Sequence, residues 1–393
     1  MDVRQPLSRR RFFGGVAAAM GALGLRPGGE LFAQGQTARF GGGEAEYDAF
    51  AKLASNENNF GPPQNVMQAM NHAWKYANRY GYPDANVIQE IAAHHGVKPE
   101  NVLLTPGSGE VLEVVGEAFL AGGKKVVGAD PTYATVYQHA TQIKAEGIKV
   151  PLLKNYQQDL DTMISEANKN AATVGLFYLC NPNNPTGMVI SSADVKKVVE
   201  GIPKTMPILI DEAYHHFVDD PAYGTSIPYV IEGRPVIIAR TFSKIAALAA
   251  MRVGYAISTP DIIKQLRVYA SNSVNVLAKH GAVASLKDTV GQAEVKKKIV
   301  GLRNQTTREL EAHGYSVIPS QTNFFMVSLG DATVQPTIEA FRAKGILVGR
   351  PFPPMLNHLR VSVGLPEEMA KFTTAFKEIF PKKAAVTTMA ARG

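Results

Sequence analysis

Cysteine is almost absent. The 393-residue chain has one, Cys180, so no intramolecular disulfide can brace the fold. It closes the apolar run Val174 to Cys180, where a thiol reads as packed and inert. The Gly/Ala-rich stretch Gly14 to Leu25 is shorter than the roughly 20 apolar residues that a spanning helix needs, so no stable membrane anchor is expected. Excess charge is modest. The formal net charge is +7, and the first 33 residues supply +3 of it, through Arg4, Arg9, Arg10, Arg11 and Arg26 against Asp2 and Glu30. What is left does not argue for nucleic acid, and no basic run is interleaved with aromatics. Low-complexity tracts and internal repeats are also missing. His94-His95 and His215-His216 lack the i, i+4 spacing of a metal motif, so they read as packing or surface residues and no metal is expected.

What is present fits an ordinary enzyme, with 45% hydrophobic and 19% charged residues in a chain long enough to bury a large core. Ser8-Arg9-Arg10-Arg11-Phe12-Phe13 ahead of Gly14 to Leu25 resembles a twin-arginine export signal over residues 1–33. That reading predicts an exported, periplasmic protein with a flexible leader over 34–46. If the segment is only a basic tail, the protein stays cytoplasmic. Further on, three apolar runs end in groups that can do chemistry. Val174 to Cys180 runs into Asn181-Pro182-Asn183-Asn184-Pro185-Thr186-Gly187, and Pro207 to Ile210 into Asp211-Glu212-Ala213-Tyr214. The third, Pro235 to Ala239, runs into Arg240-Thr241-Phe242-Ser243-Lys244, eight residues before Arg252. Strand ends of this kind describe the crevice of an open α/β sheet, and a lysine there suits carbonyl chemistry through a Schiff base.

These segments, with Leu53-Ala54-Ser55-Asn56-Glu57-Asn58, Tyr82-Pro83-Asp84, Gly107-Ser108-Gly109-Glu110 and Leu359-Arg360-Val361, make a recognisable series. From about Leu53 to Phe380 the chain resembles the fold-type I, pyridoxal-phosphate-dependent aminotransferases, most closely the histidinol-phosphate branch. The resemblance implies an α/β fold. A three-layer α/β/α large domain with a mostly parallel sheet would span 76–275. A smaller α+β domain would come from 276–393 and an N-terminal arm over 34–75. It also implies a homodimer with a shared active site, moving an α-amino group between an L-amino acid and a 2-oxo acid by a ping-pong mechanism.

On the same resemblance, Ser108, Gly109 and Glu110 hold the pyridoxal 5'-phosphate at a helix start, where free N–H groups and the helix dipole favour an anion. Arg252 adds a bidentate cation, Thr241 and Ser243 add hydroxyls, and Tyr82 reaches in from the neighbouring subunit. Asp211 keeps the ring nitrogen protonated, Tyr214 and Asn184 bind the ring's phenolic oxygen, and Tyr133 stacks on the ring. Lys244 carries the cofactor and moves the proton, and Arg360 clamps the substrate carboxylate. Asn58 and Arg350 face the rest of the substrate.

Two stretches depart from the branch. Gly349 stands between Gly345-Ile346-Leu347-Val348 and Arg350, and Asn58 is followed by Asn59-Phe60 where proline is usual. Phe60, Arg350 and Phe352 therefore predict an apolar or aromatic side-chain pocket. A lyase or decarboxylase on the same scaffold shares the cofactor residues and differs only in which Cα bond breaks. A cofactor-binding regulator is disfavoured, since it has no use for Lys244 with Asp211.

Overall fold

Alternation along the apolar runs divides each strand between two faces, and each face is covered by helices in the computed structural model, which describes residues 43–383. Within Val174–Cys180, Phe177 and Leu179 enter one buried cluster while Leu176, Tyr178 and Cys180 enter the other. Parallel strands covered on both sides need near-continuous apolar runs of this kind. One face is packed by Val111, Leu112 and Val115 of the helix Ser108–Leu120 and by Ile262, Ile263 and Leu266 of Pro260–Arg267. The other takes Met163 of Leu160–Lys169 and Val195, Val198 and Val199 of Ser192–Gly201.

In chain order the strands are β1 (Ala51–Leu53), β2 (Val102–Thr105), β3 (Lys125–Asp130), β4 (Gly147–Pro151), β5 (Val174–Cys180) and β6 (Ile208–Asp211). There follow β7 (Val236–Thr241), β8 (Gly254–Ile257), β9 (Val317–Ile318), β10 (Phe324–Ser328), β11 (Ile346–Val348) and β12 (His358–Ser362). The large sheet is ordered β2-β8-β7-β6-β5-β3-β4. Only β8 runs antiparallel to its neighbours, so the sheet is mostly parallel and the fold is the expected three-layer α/β/α arrangement. A smaller α+β part holds the antiparallel sheet β12-β10-β9 and the parallel pair β1-β11, with the helices Thr289–Ala312, Val334–Ala343 and Pro366–Ile379. All seven strands of the large sheet fall within residues 76–275; β1 precedes them and β9 to β12 follow.

The register brings functional ends to one edge. Cys180 pairs with Asp211, Asp211 with Ala239, and both Thr105 and Thr241 with Gly254. The C-terminal ends of β2, β5, β6 and β7 and the start of β8 therefore open on a common crevice.

Residues 1–48 form a unit apart from 49–393, and its described part is the helix Gly43–Asp48. The expected signal segment, residues 1–33, lies outside the described residues. Of the flexible leader expected over 34–46, residues 34–42 also lie outside the described residues, and the last four open that helix, where Glu44 and Glu46 suit its first turn. The mixed-charge segment Lys287 to Arg308 lies almost wholly in the helix Thr289–Ala312. That helix buries Ile299, Arg303, Thr306 and Leu310, a stripe at helical spacing hidden among lysines and glutamates. Among the described residues no helix is long and apolar enough to cross a membrane.

Candidate active site

Gly107 makes the first turn of the site. At φ +85° it takes a conformation open to glycine, and an added Cβ would lie 2.3 Å from Arg252 Nη2. The helix therefore starts at Ser108, directly after the turn that Arg252 packs against. Arg252 itself sits at φ +51°, a strained choice for a residue with a Cβ, of the sort that clusters at ligand sites. Its Nη1 donates to Ala249 O (2.8 Å), with Ser243 Oγ at 3.5 Å. Thr241 Oγ1 donates to Ser243 Oγ (2.8 Å) and accepts from the Ser243 N–H (3.0 Å). Helix N–H groups, a guanidinium and two hydroxyls are the donor set that a phosphate needs. Glu110 contributes differently, because its carboxylate accepts from Ser271 N (2.6 Å) and Oγ (3.1 Å) and so fastens the segment after β8.

At the ends of β5, β6 and β7 stand the reactive groups. Asp211 is buried, and its Oδ1 accepts from the Ala213 N–H (3.1 Å), the local turn bond that aspartate also makes at helix starts. Burial raises its carboxyl to about 7, against the pull of that N–H and of Lys244. The half-buried Lys244 ammonium donates to Ser55 O (3.3 Å) and stands 5.6 Å from the Tyr214 ring. Burial, helped by the Arg360 charge, lowers it to about 8 against the influence of Glu57 and Asp211. An amine near neutral pH is a usable nucleophile and base.

Arg360, on β12, is buried and has no carboxylate partner among the described residues. Nη1 donates to Asn184 Oδ1 (2.8 Å) and Nη2 to Ala54 O (2.8 Å), while Nε has no acceptor among the described residues. Burial lowers it to about 10. A buried guanidinium with an idle donor is prepared for an anion. Asn184 Nδ2 in turn donates to the Tyr214 hydroxyl (3.3 Å). Tyr133 lies within electrostatic reach of Asp211, Arg252, Arg350 and Arg360, and burial raises its phenol.

Three predicted residues lie differently. Tyr82 is 77% exposed and bonds to none of the others among the described residues. Asn58 uses its amide to donate to Ile245 O (2.9 Å) and to accept from Phe60 N (3.2 Å), tying the N-terminal arm to the residue after Lys244. Arg350 lays its guanidinium over Phe352 at 4.3 Å and donates to Pro351 O (3.0 Å). Phe352 packs with Ile318, Met326 and Met355, beside Met188 and Tyr156, and Arg360 covers it at 4.5 Å. Phe60 packs instead on the main core under Lys298. Sequence reasoning missed Asn56, which is buried and donates to the Tyr214 hydroxyl at 3.0 Å. Its place in the run Leu53 to Asn58 was the one sequence signal, and that run shows neither its burial nor its partner.

The family model of aminotransferase class I and II matches residues 49–376. The chain belongs to the class I and II aminotransferases. A histidinol-phosphate aminotransferase of Moorella thermoacetica is 35% identical to this aminotransferase over 84% of it and 85% of the relative. Histidinol-phosphate aminotransferase 1 of Bacillus anthracis is 34% identical over 84% and 88%. Among solved structures, a histidinol-phosphate aminotransferase of Sinorhizobium meliloti in complex with pyridoxal-5'-phosphate superposes with a TM-score of 0.78 at 27% identity, covering 89% of this chain and 97% of that one. An L-threonine-O-3-phosphate decarboxylase of Porphyromonas gingivalis shares the fold, with a TM-score of 0.70 at 19% identity, over 84% and 98%.

Proposed function

We propose that this aminotransferase uses pyridoxal 5'-phosphate, works by a ping-pong cycle between an L-amino acid and a 2-oxo acid, and prefers donors with an apolar or aromatic side chain. The observation that carries the reading is the meeting of half-buried Lys244 with buried Asp211 and Arg360, none of which makes an ion pair at contact distance among the described residues. Leaving such groups unpaired is costly unless a ligand completes them. The residues fit this cofactor: Ser108, Gly109, Arg252, Thr241 and Ser243 would hold its phosphate, Tyr133 its ring, and Asp211 its ring nitrogen.

When bound, the cofactor supplies an aldehyde carbon for the donor's nitrogen and a ring that accepts electrons from Cα. Lys244 Nζ takes up the Cα proton and returns it; with its pKa near 8, part of it is neutral at working pH. Asp211 would hold a proton at the ring nitrogen, and that cation would favour its carboxylate form. Arg360 turns its idle Nε and its two terminal nitrogens toward the α-carboxylate. The substrate side chain then extends toward Phe352, whose ring also carries the guanidinium groups of Arg350 and Arg360.

The domain boundaries at 75/76 and 275/276 belong to this reading. So does a homodimer, supported by the exposed aromatics Trp74, Tyr80 and Tyr82. Export through the twin-arginine route rests on Ser8 to Phe13. Borohydride reduction of the yellow protein should fix the cofactor on Lys244; label on another lysine would overturn the assignment. A donor panel scored for 2-oxo acid against carbon dioxide separates transamination from decarboxylation. Phenylalanine or leucine should outperform histidinol phosphate in kcat/KM, and the reverse order would give the substrate of the curated relatives.

A further inference from the structure

Tyr214 has one hydroxyl hydrogen, and its neighbours dictate where that hydrogen points. Arg360 can only donate, so Asn184 must turn its oxygen to Arg360 Nη1 (2.8 Å) and its NH₂ to the Tyr214 oxygen (3.3 Å). On the other side the anchor is a backbone N–H. Asn56 N donates to Ser362 Oγ (2.8 Å), and Ser362 Oγ donates to Asn56 Oδ1 (3.1 Å). That turns the Asn56 NH₂ to the Tyr214 oxygen (3.0 Å). Two amides thus fill the acceptor sites of the phenol, and its hydrogen is left for a third direction.

The backbone holding Asn56 is as specific as its side chain. Asn56 lies at φ +56°, where asparagine is among the few residues with a Cβ that sit readily, and Asn323 Nδ2 donates to its carbonyl (3.0 Å). The two residues before it accept from the reactive cations: Ala54 O from Arg360 and Ser55 O from Lys244. Three consecutive residues therefore touch the carboxylate clamp, the lysine and the tyrosine.

We infer that Asn56 is a positioning residue that orients the Tyr214 hydroxyl as a donor toward the cofactor's phenolic oxygen. The inference rests on the cofactor reading above. A donor at that oxygen favours its deprotonated form, so the chromophore formed with Lys244 changes colour at lower pH than it would without Asn56. An aspartate in place of Asn56 only accepts, and it would draw the Tyr214 hydrogen away from the cofactor.

The test compares Asn56→Ala, Asn56→Gly and Asn56→Asp with wild type as cofactor-loaded proteins, each checked for thermal unfolding. The glycine variant keeps the left-handed backbone and loses only the side chain. Expected are a fall in kcat of about tenfold for Ala and Gly, as one hydrogen bond implies, and of about a hundredfold for Asp, with donor KM nearly constant. The pH midpoint of the chromophore should rise in all three, most in Asp. A merely structural role predicts the opposite order, because Asp is the closest match to Asn in shape. Asp equal to or milder than Ala, with an unmoved midpoint, overturns this inference alone. A wild type that forms no chromophore on Lys244 overturns the cofactor reading as well.

Discussion

Asp211 and Glu212 are neighbours in sequence and both are buried, yet they serve unlike surroundings. Glu212 Oε2 accepts from Arg240 Nε (3.0 Å) and Nη2 (2.6 Å), and Oε1 accepts from Ser226 N (2.9 Å). Arg240 also donates to Thr225 Oγ1 (2.7 Å) and lies 3.3 Å from His95 Nδ1. Burial opposes the Arg240 charge and Glu212 more than restores it, so its pKa rises. Asp211 receives one turn hydrogen bond, and burial dominates its titration. A buried charge whose bonds are complete holds structure together. One left incomplete is a place for a ligand.

Substitutions should separate the two regions. The largest effect falls on Lys244→Ala, which should abolish turnover and borohydride labelling while some cofactor still binds through its phosphate contacts; absorbance after gel filtration and steady-state rates decide it. Next, Asp211→Asn should lower kcat by about 10²–10³-fold with little change in unfolding free energy. Glu212→Gln should do the converse, costing about 3 kcal/mol of stability by leaving Arg240 without its counter-ion. Its kcat per folded molecule should be preserved. If denaturant unfolding and kinetics show the two variants behaving alike, the distinction between the regions fails.

Acid exposes the structural region first. His94, His95, His215 and His216 gather near Arg240, with the rings of His215 and His216 3.7 Å apart and His95 Nε2 bonded to Tyr255 OH (2.8 Å). Among the described residues they form no metal-ligand group. Burial and the Arg240 charge lower all four, His95 to about 2 and His216 to about 3, with Lys296 adding to the effect on His216. A lowered imidazole binds its proton more readily in the unfolded chain. The stability it contributes is therefore full above the unfolded value of about 6.5 and is lost as pH falls below it, by about 1.4 kcal/mol per histidine per pH unit. Melting temperature should drop steeply from pH 6.5 to 5, and His95→Gln with His216→Gln should flatten the drop. A flat wild-type profile would show that these rings are not held neutral.

Much of this was legible in the sequence. The strand ends at Asn184, Asp211 and Lys244 could be read because apolar runs that stop at polar residues are a local signal, and Val174–Cys180 matches its strand residue for residue. The open α/β sheet followed from the same runs, and its mostly parallel order from the family resemblance. Asn56 was not legible as a site residue, since its role depends on Ser362 and Tyr214, 306 and 158 positions away. The histidine cluster was read as packing, but its gathering around Arg240 comes from tertiary contacts between the helix Val87–His95, β7 and the turn after β6. Glu110 shows the same limit, because the resemblance placed it at the phosphate turn and could not show its carboxylate turned to Ser271.

Arg350 gives the smallest expected effect and the sharpest test of substrate. It is exposed, its guanidinium rests on the Phe352 face, and one of its donors is taken by Pro351 O. A cation occupied in this way contributes little to an uncharged side chain beyond covering the ring. Arg350→Ala should therefore change kcat/KM for leucine or phenylalanine by no more than about twofold, the scale of an exposed charge. For a phosphate-bearing donor the loss depends on Arg350 leaving the ring, and the stack on Phe352 opposes that movement. Phe352→Ala removes the stack and should raise activity toward phosphorylated donors relative to apolar ones. If Arg350→Ala instead removes a strong wild-type preference for histidinol phosphate, the apolar reading of this pocket falls and the guanidinium is the phosphate ligand after all.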